Sequence, residues 1–68
     1  MQSKLSKNLY NLRKEKGVSQ QSLAKASGVT QKAIDFWEKD INEPKASYII
    51  KLAEYFAVTS DYLLGIED

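Results

Sequence analysis

Leu5, Leu9 and Leu12 stand four and three residues apart, and the same helical rhythm returns after every break in the chain. Gly17 ends the first run in the manner of a helix C-terminus. Ser19 then stands as the N-cap of a short helix, "QQSLAKA", which turns Leu23 and Ala24 inward. "SGV" at 27–29 reads as a tight turn, with Gly28 in the left-handed conformation that a Cβ penalises. Thr30 caps a third helix carrying Ala33, Ile34 and Trp37 at helical spacing. "DINEPK" at 40–45 is a loop, and Pro44 sits where a helix can restart. Ile49, Leu52, Ala53 and Phe56 form the stripe of a fourth helix. After a break in "AVTSDYLLG", a cap at Thr59 or Ser60 opens a last short helix that Gly65 stops. The expected fold class is all-α: a compact five-helix bundle, with residues 1–68 as a single domain.

A chain of 68 residues without cysteine has no disulfide to staple it, so its stability must come from helix packing, helped by self-association. With 43% hydrophobic and 28% charged residues, it has the balance of a soluble globule and not of a disordered tail. Without histidine or cysteine there is no histidine-based triad, thiolate nucleophile or ordinary zinc set. No glycine-rich phosphate loop is present either, so neither an enzyme nor a cofactor, metal or small-molecule ligand is expected. No apolar run approaches the roughly 20 residues of a membrane helix. The N-terminus lacks a signal-peptide core, and the expected location is the cytoplasm.

Net charge is only +1, but it is unevenly spread. Residues 1–39 hold eight Lys and Arg against three Asp and Glu, while residues 40–68 hold two against six. A basic half suggests a face for an anion, although charges that merely solvate helix surfaces would give the same count.

Residues 20–39 form two short helices joined by a three-residue turn, the arrangement of a helix-turn-helix. Ala24 is small enough to let the helix axes approach, and Gly28 makes the turn. Val29 and Ile34 fill the angle between the helices, and Leu23 and Trp37 tie the unit to the core. Together with "LRKEKGVSQQSLAKASGV", "I..WEK", "EPK", "KLAEYFAV" and "DYLLG", spread from about Leu5 to Gly65, these features resemble one family. It is the phage Cro and repressor type of DNA-binding domain, also called lambda-repressor-like or XRE. The resemblance implies a five-helix lambda-repressor-like bundle whose third helix lies in the major groove of double-stranded DNA. It also implies two-fold symmetric homodimers on near-palindromic operators, with their reading helices roughly 34 Å apart.

Transferred position by position, the resemblance assigns Gln20 to a backbone phosphate, where amides at the helix start face the same group. Gln31 and Lys32 open the third helix and would reach base edges, glutamine pairing with adenine and lysine with guanine. Lys39, Asn42 and Lys45 fall where the family meets phosphates, contacts that position the protein and weaken with salt. Glu38 matches a glutamate that pairs with the arginine corresponding to Arg13, a structural ion pair between the third helix and the first.

Asp35 and Phe36 are harder to explain on a helix that reads DNA. Asp35 follows the core position Ile34, so it is expected at the groove edge or in solvent, where a carboxylate can accept from cytosine N4. Phe36 replaces the family's polar or basic residue. Packing at the core edge is the first reading, contact with a thymine methyl the second, and a surface for a protein partner the third. Lys45 also departs from the family, which places a capping Ser or Asp after the proline; lysine caps poorly and opposes the helix dipole. At the acidic end, Tyr62, Leu63 and Ile66 are expected to form the dimer interface, unless Leu63 and Leu64 both cover the core. The expected function is a sequence-specific transcriptional regulator, bacterial or phage-encoded and nucleoid-associated. A repressor is expected over an activator, because 68 residues leave no room for another domain. The rival reading is a protein-interaction module on the same scaffold.

Overall fold

The computed structural model describes residues 4–66, which form five helices: α1 (Lys4–Lys16), α2 (Gln20–Ser27), α3 (Gln31–Glu38), α4 (Ala46–Phe56) and α5 (Ser60–Leu64). Three of the starts are capped by side chains in the way the sequence suggests. Ser19 Oγ accepts the Ser22 N–H at 3.0 Å, Thr30 Oγ1 the Ala33 N–H at 3.1 Å, and Thr59 Oγ1 the Tyr62 N–H at 2.9 Å. Such caps contribute about 1 kcal/mol each by satisfying amides the helix leaves orphaned. Lys45, by contrast, stands at the N-cap of α4 with no side-chain hydrogen bond to it. The helix ends are left-handed turns at Gly17, Gly28 and Gly65, but α4 ends on Ala57 at φ 57°, where a Cβ is strained.

One leucine-rich core joins all five helices. Leu5 and Leu9 enter it from α1, Leu23 and Ala24 from α2, Ile34 and Trp37 from α3, Leu52 and Ala53 from α4, and Leu63 from α5. α1 lies against α3 and α5, α2 against α3 and α4, and α4 closes on α5. Trp37 extends the core toward α4, its ring centroid 5.8 Å from that of Tyr48.

Leu63 corrects an expectation. It is 0% exposed and lies in the core, so it offers no surface to a second subunit. Leu64 is half-buried, while Tyr62 and Ile66 are 41% and 73% exposed. α1 holds this last helix in place. Asn8 Nδ2 donates to the carbonyls of Tyr62 and Leu63 at 3.0 and 3.3 Å, and Lys4 Nζ donates to that of Gly65 at 3.4 Å. A Cβ on Gly65 would overlap the Lys4 side chain, so α1 packs against α5 where a glycine leaves room for that side chain.

A charged pair is sealed between α1 and α3. Arg13 and Glu38 are 8% and 5% exposed. They meet as a two-pronged ion pair, with Arg13 Nε to Glu38 Oε2 at 2.6 Å and Nη2 to Oε1 at 3.1 Å. The guanidinium's third arm, Nη1, donates to the Val18 carbonyl at 3.0 Å and so fixes the α1–α2 link. The hydrogen bond to Glu38 pushes the Arg13 pKa further up, against the opposing effect of burial.

Three variants test these contacts. Glu38→Ala strands the Arg13 charge and should cost about 3–5 kcal/mol in urea unfolding. Arg13→Met combined with Glu38→Leu should recover most of that loss, because no buried charge is left unpaired. A cost below about 1 kcal/mol for Glu38→Ala would mark the pair as no stronger than a surface one. Ala57→Gly relieves the left-handed residue and should stabilise by roughly 0.5–1 kcal/mol, read as a higher urea midpoint at unchanged slope.

Candidate nucleic-acid interface

α2, the turn and α3 form a helix-turn-helix. Gly28, at φ 72°, closes α2 by donating its N–H to the Ala24 and Lys25 carbonyls. The Val29 N–H returns to the Ala24 carbonyl at 3.0 Å. This is a Schellman-type stop, and it redirects the chain within three residues. Ala24 is 3% exposed and contributes only a methyl group, while Leu23 and Ile34, both 0% exposed, lie in the core that α2 and α3 share. The turn and the core together leave one face of α3 pointing outward.

That face begins with Gln31 and Lys32, both exposed in the first helical turn. One turn further on, Phe36 is half-buried, and the Lys32 ammonium lies 5.6 Å from the centre of its ring. Among the described residues, the partly buried apolar side chains resting on the core include Val29, Ala33, Tyr48 and Phe56, and Phe36 is not one of them. Phe36 therefore borders the outward face of α3 beside Lys32. A cation over an aromatic face contributes about 0.5–1 kcal/mol at an exposed site.

Asp35 does not stand alone in solvent. Its Oδ2 accepts from Lys39 Nζ at 3.0 Å, and its Oδ1 accepts from Gln20 Nε2 at 3.2 Å. The Lys39 hydrogen bond, then the Gln20 one, hold the Asp35 carboxyl below its ordinary pKa. Gln20 Nε2 also donates to Glu38 Oε1 at 3.0 Å, so this network continues into the buried Arg13 pair. Beside it, α1, α2 and α3 border a cleft of about 350 Å³ whose lining includes Lys7, Tyr10, Gln20, Asp35 and Lys39. Tyr10 is 44% exposed, with Arg13 and Lys14 at 5.5 and 5.8 Å from its ring centre.

Lys7 and Tyr10 were not among the residues singled out from sequence, although positions 7, 10 and 14 form a polar stripe opposite the leucines of α1. The other expected contacts, Asn42 and Lys45, are exposed on the segment between α3 and α4. Asp40, at φ 61°, bends the chain there just after Lys39 closes α3. The structure thus draws Gln20, Asp35 and Lys39 together and places Gln31, Lys32 and Phe36 along the outward side of α3. Tyr62 and Ile66, at the α5 end, belong to neither group.

Comparison with known proteins agrees with this geometry. The helix-turn-helix family model matches residues 9–63. An uncharacterized HTH-type transcriptional regulator of Rickettsia conorii is 34% identical over 65 residues, covering 94% of this chain and 52% of the relative. The HTH-type transcriptional regulator ImmR of Bacillus subtilis is 28% identical over 64 residues, covering 94% and 50%. The chain therefore spans about half the length of these curated relatives. The P22 c2 repressor, solved in complex with a synthetic operator, superposes with a TM-score of 0.89 at 28% identity, covering 98% of this chain and 100% of that one. Together the matched residues and the superposed helices show that the chain belongs to the helix-turn-helix family of Cro/repressor (XRE) type, whose members are DNA-binding transcriptional regulators and not enzymes.

Proposed function

We propose that this protein represses transcription by occupying a near-palindromic operator as a homodimer, with α3 in the major groove. The observation that carries the reading is the outward face of α3. Its first turn presents Gln31 and Lys32, on a scaffold that superposes at a TM-score of 0.89 on a repressor solved with its operator. Gln31 suits the two-point pattern of adenine, Lys32 the acceptors of guanine, and the edge of the Phe36 ring suits a thymine methyl. Asp35, held by Gln20 and Lys39, is left out of the base contacts.

Lys39, Asn42 and Lys45 are the proposed phosphate contacts, joined by Gln20 at the start of α2. Lys45 fits that role because it makes no capping bond to α4 and is exposed. Two copies would meet through Tyr62 and Ile66, the exposed apolar residues at the α5 end. Among the described residues no helix is long and apolar enough to cross a membrane, and the proposed place of action is the DNA of a bacterial or phage-infected cytoplasm.

Selection of the 68-residue chain on a random duplex DNA pool should enrich an inverted repeat with half-sites one DNA turn apart. An A·T pair is expected at the position facing Phe36. If nothing is enriched while the helical circular dichroism is intact, the DNA reading falls, and the α3 face belongs to a protein partner. In sedimentation, Tyr62→Asp should shift the monomer–dimer balance toward monomer by about tenfold or more, the effect of some 1.4 kcal/mol at an interface. No shift would remove α5 from the dimer surface.

A further inference from the structure

We propose that Asp35 is an internal counter-anion: it takes the place of a DNA phosphate between Gln20 and Lys39 and thereby weakens binding to non-specific DNA. The inference rests on the DNA-binding reading above and adds a specificity-determining residue to it. Each oxygen of the Asp35 carboxylate is engaged, one by Gln20 Nε2 at 3.2 Å and the other by Lys39 Nζ at 3.0 Å. These donors come from opposite ends of the helix-turn-helix, Gln20 from the first residue of α2 and Lys39 from the C-cap of α3. Both are also assigned to phosphate. A phosphate oxygen asks for the same kind of donor that a carboxylate oxygen does, so one anion must leave for the other to be held. The neighbouring cleft adds Lys7 from α1, so the vacated site would present two lysines and an amide to the backbone.

The structural alternative is that Asp35 simply supports α3. An i,i+4 pair whose lysine is 63% exposed does little for stability, and it does not require Gln20 to reach across from α2 as well.

The effect falls unequally on right and wrong DNA. Non-specific binding is almost wholly the release of counterions from phosphates by lysine and arginine. A lysine already neutralised by Asp35 releases one ion fewer, so non-specific complexes lose a large share of their driving force. A complex at the operator keeps its base contacts at Gln31 and Lys32 and loses proportionately less. With a formal net charge of only +1, the chain has few cations in excess, and one internal anion matters.

The test is fluorescence anisotropy of the intact chain on a random-sequence duplex, from 50 to 200 mM salt, with wild type, Asp35→Ala, Asp35→Asn and Glu54→Gln. Asp35→Asn preserves shape while removing charge, and Glu54→Gln removes the same charge from α4. Both Asp35 variants should bind more tightly than wild type, with a log–log salt slope steeper by about one. Their gain should be about threefold larger at 50 mM than at 200 mM. Glu54→Gln should show neither change. Weaker binding and a shallower slope for both Asp35 variants would overturn the proposal, leaving Asp35 as a residue that positions Gln20 and Lys39. An equal gain for Glu54→Gln would overturn it too, as an effect of net charge alone. Binding by none of the four proteins would defeat the DNA reading itself, whereas binding by wild type without an Asp35 gain would defeat only this inference.

Discussion

Three helices are set relative to one another by a single buried guanidinium. Arg13 leaves α1, grips Glu38 of α3 with two of its nitrogens, and uses the third to hold the Val18 carbonyl before α2 begins. Gln20 then donates to the same carboxylate from the first turn of α2. The outward pose of α3 is therefore not a matter of apolar packing alone. Leucine and isoleucine contacts tolerate small rotations, but a planar fork on a planar carboxylate does not. A helix that must meet a groove in one orientation gains from this rigidity, and the desolvation of both charges is the cost that accompanies it.

The helices were legible because their signals are local. A serine or threonine one residue before a periodic run, or a glycine one residue after it, acts within a single turn of chain, and Ser19, Thr30, Gly17, Gly28 and Gly65 all stand where the structure uses them. Left-handed residues that are not glycine gave less notice: Asp40 is of a type that tolerates positive φ but does not require it, and Ala57 adopts it because the chain must turn there and not because its side chain favours it. Leu63 was assigned outward since a short helix with three adjacent apolar residues does not declare which of them faces in; the burial shows that only Leu63 enters the core.

The candidate site was less readable, for a physical reason. The polar contacts that tie α3 to α1 and α2 join residues 15 to 25 positions apart, and no periodicity links Gln20 to Asp35 or Arg13 to Glu38. The ion pair was expected only through resemblance to a family, and the Gln20–Asp35–Lys39 arrangement was not expected at all. Phe36 shows the opposite difficulty. Hydrophobicity suggested the core edge, but it could not announce the cation beside the ring, and the structure leaves Phe36 half-buried with the Lys32 ammonium 5.6 Å from its centre.

The contact between Lys4 and Gly65 gives the bundle a topological property. The first and last described helices are neighbours, linked through Asn8 to the α5 carbonyls and by the Lys4 side chain packed against Gly65. Drawn as a path in space, the described residues make almost a closed loop. A bridge from the end of α5 to the start of α1 could close it while new ends were opened on the exposed segment between α3 and α4. The helix-turn-helix would remain one uninterrupted stretch in such a permuted chain, because the geometry that presents α3 is carried by which helices touch and not by the order in which they are threaded.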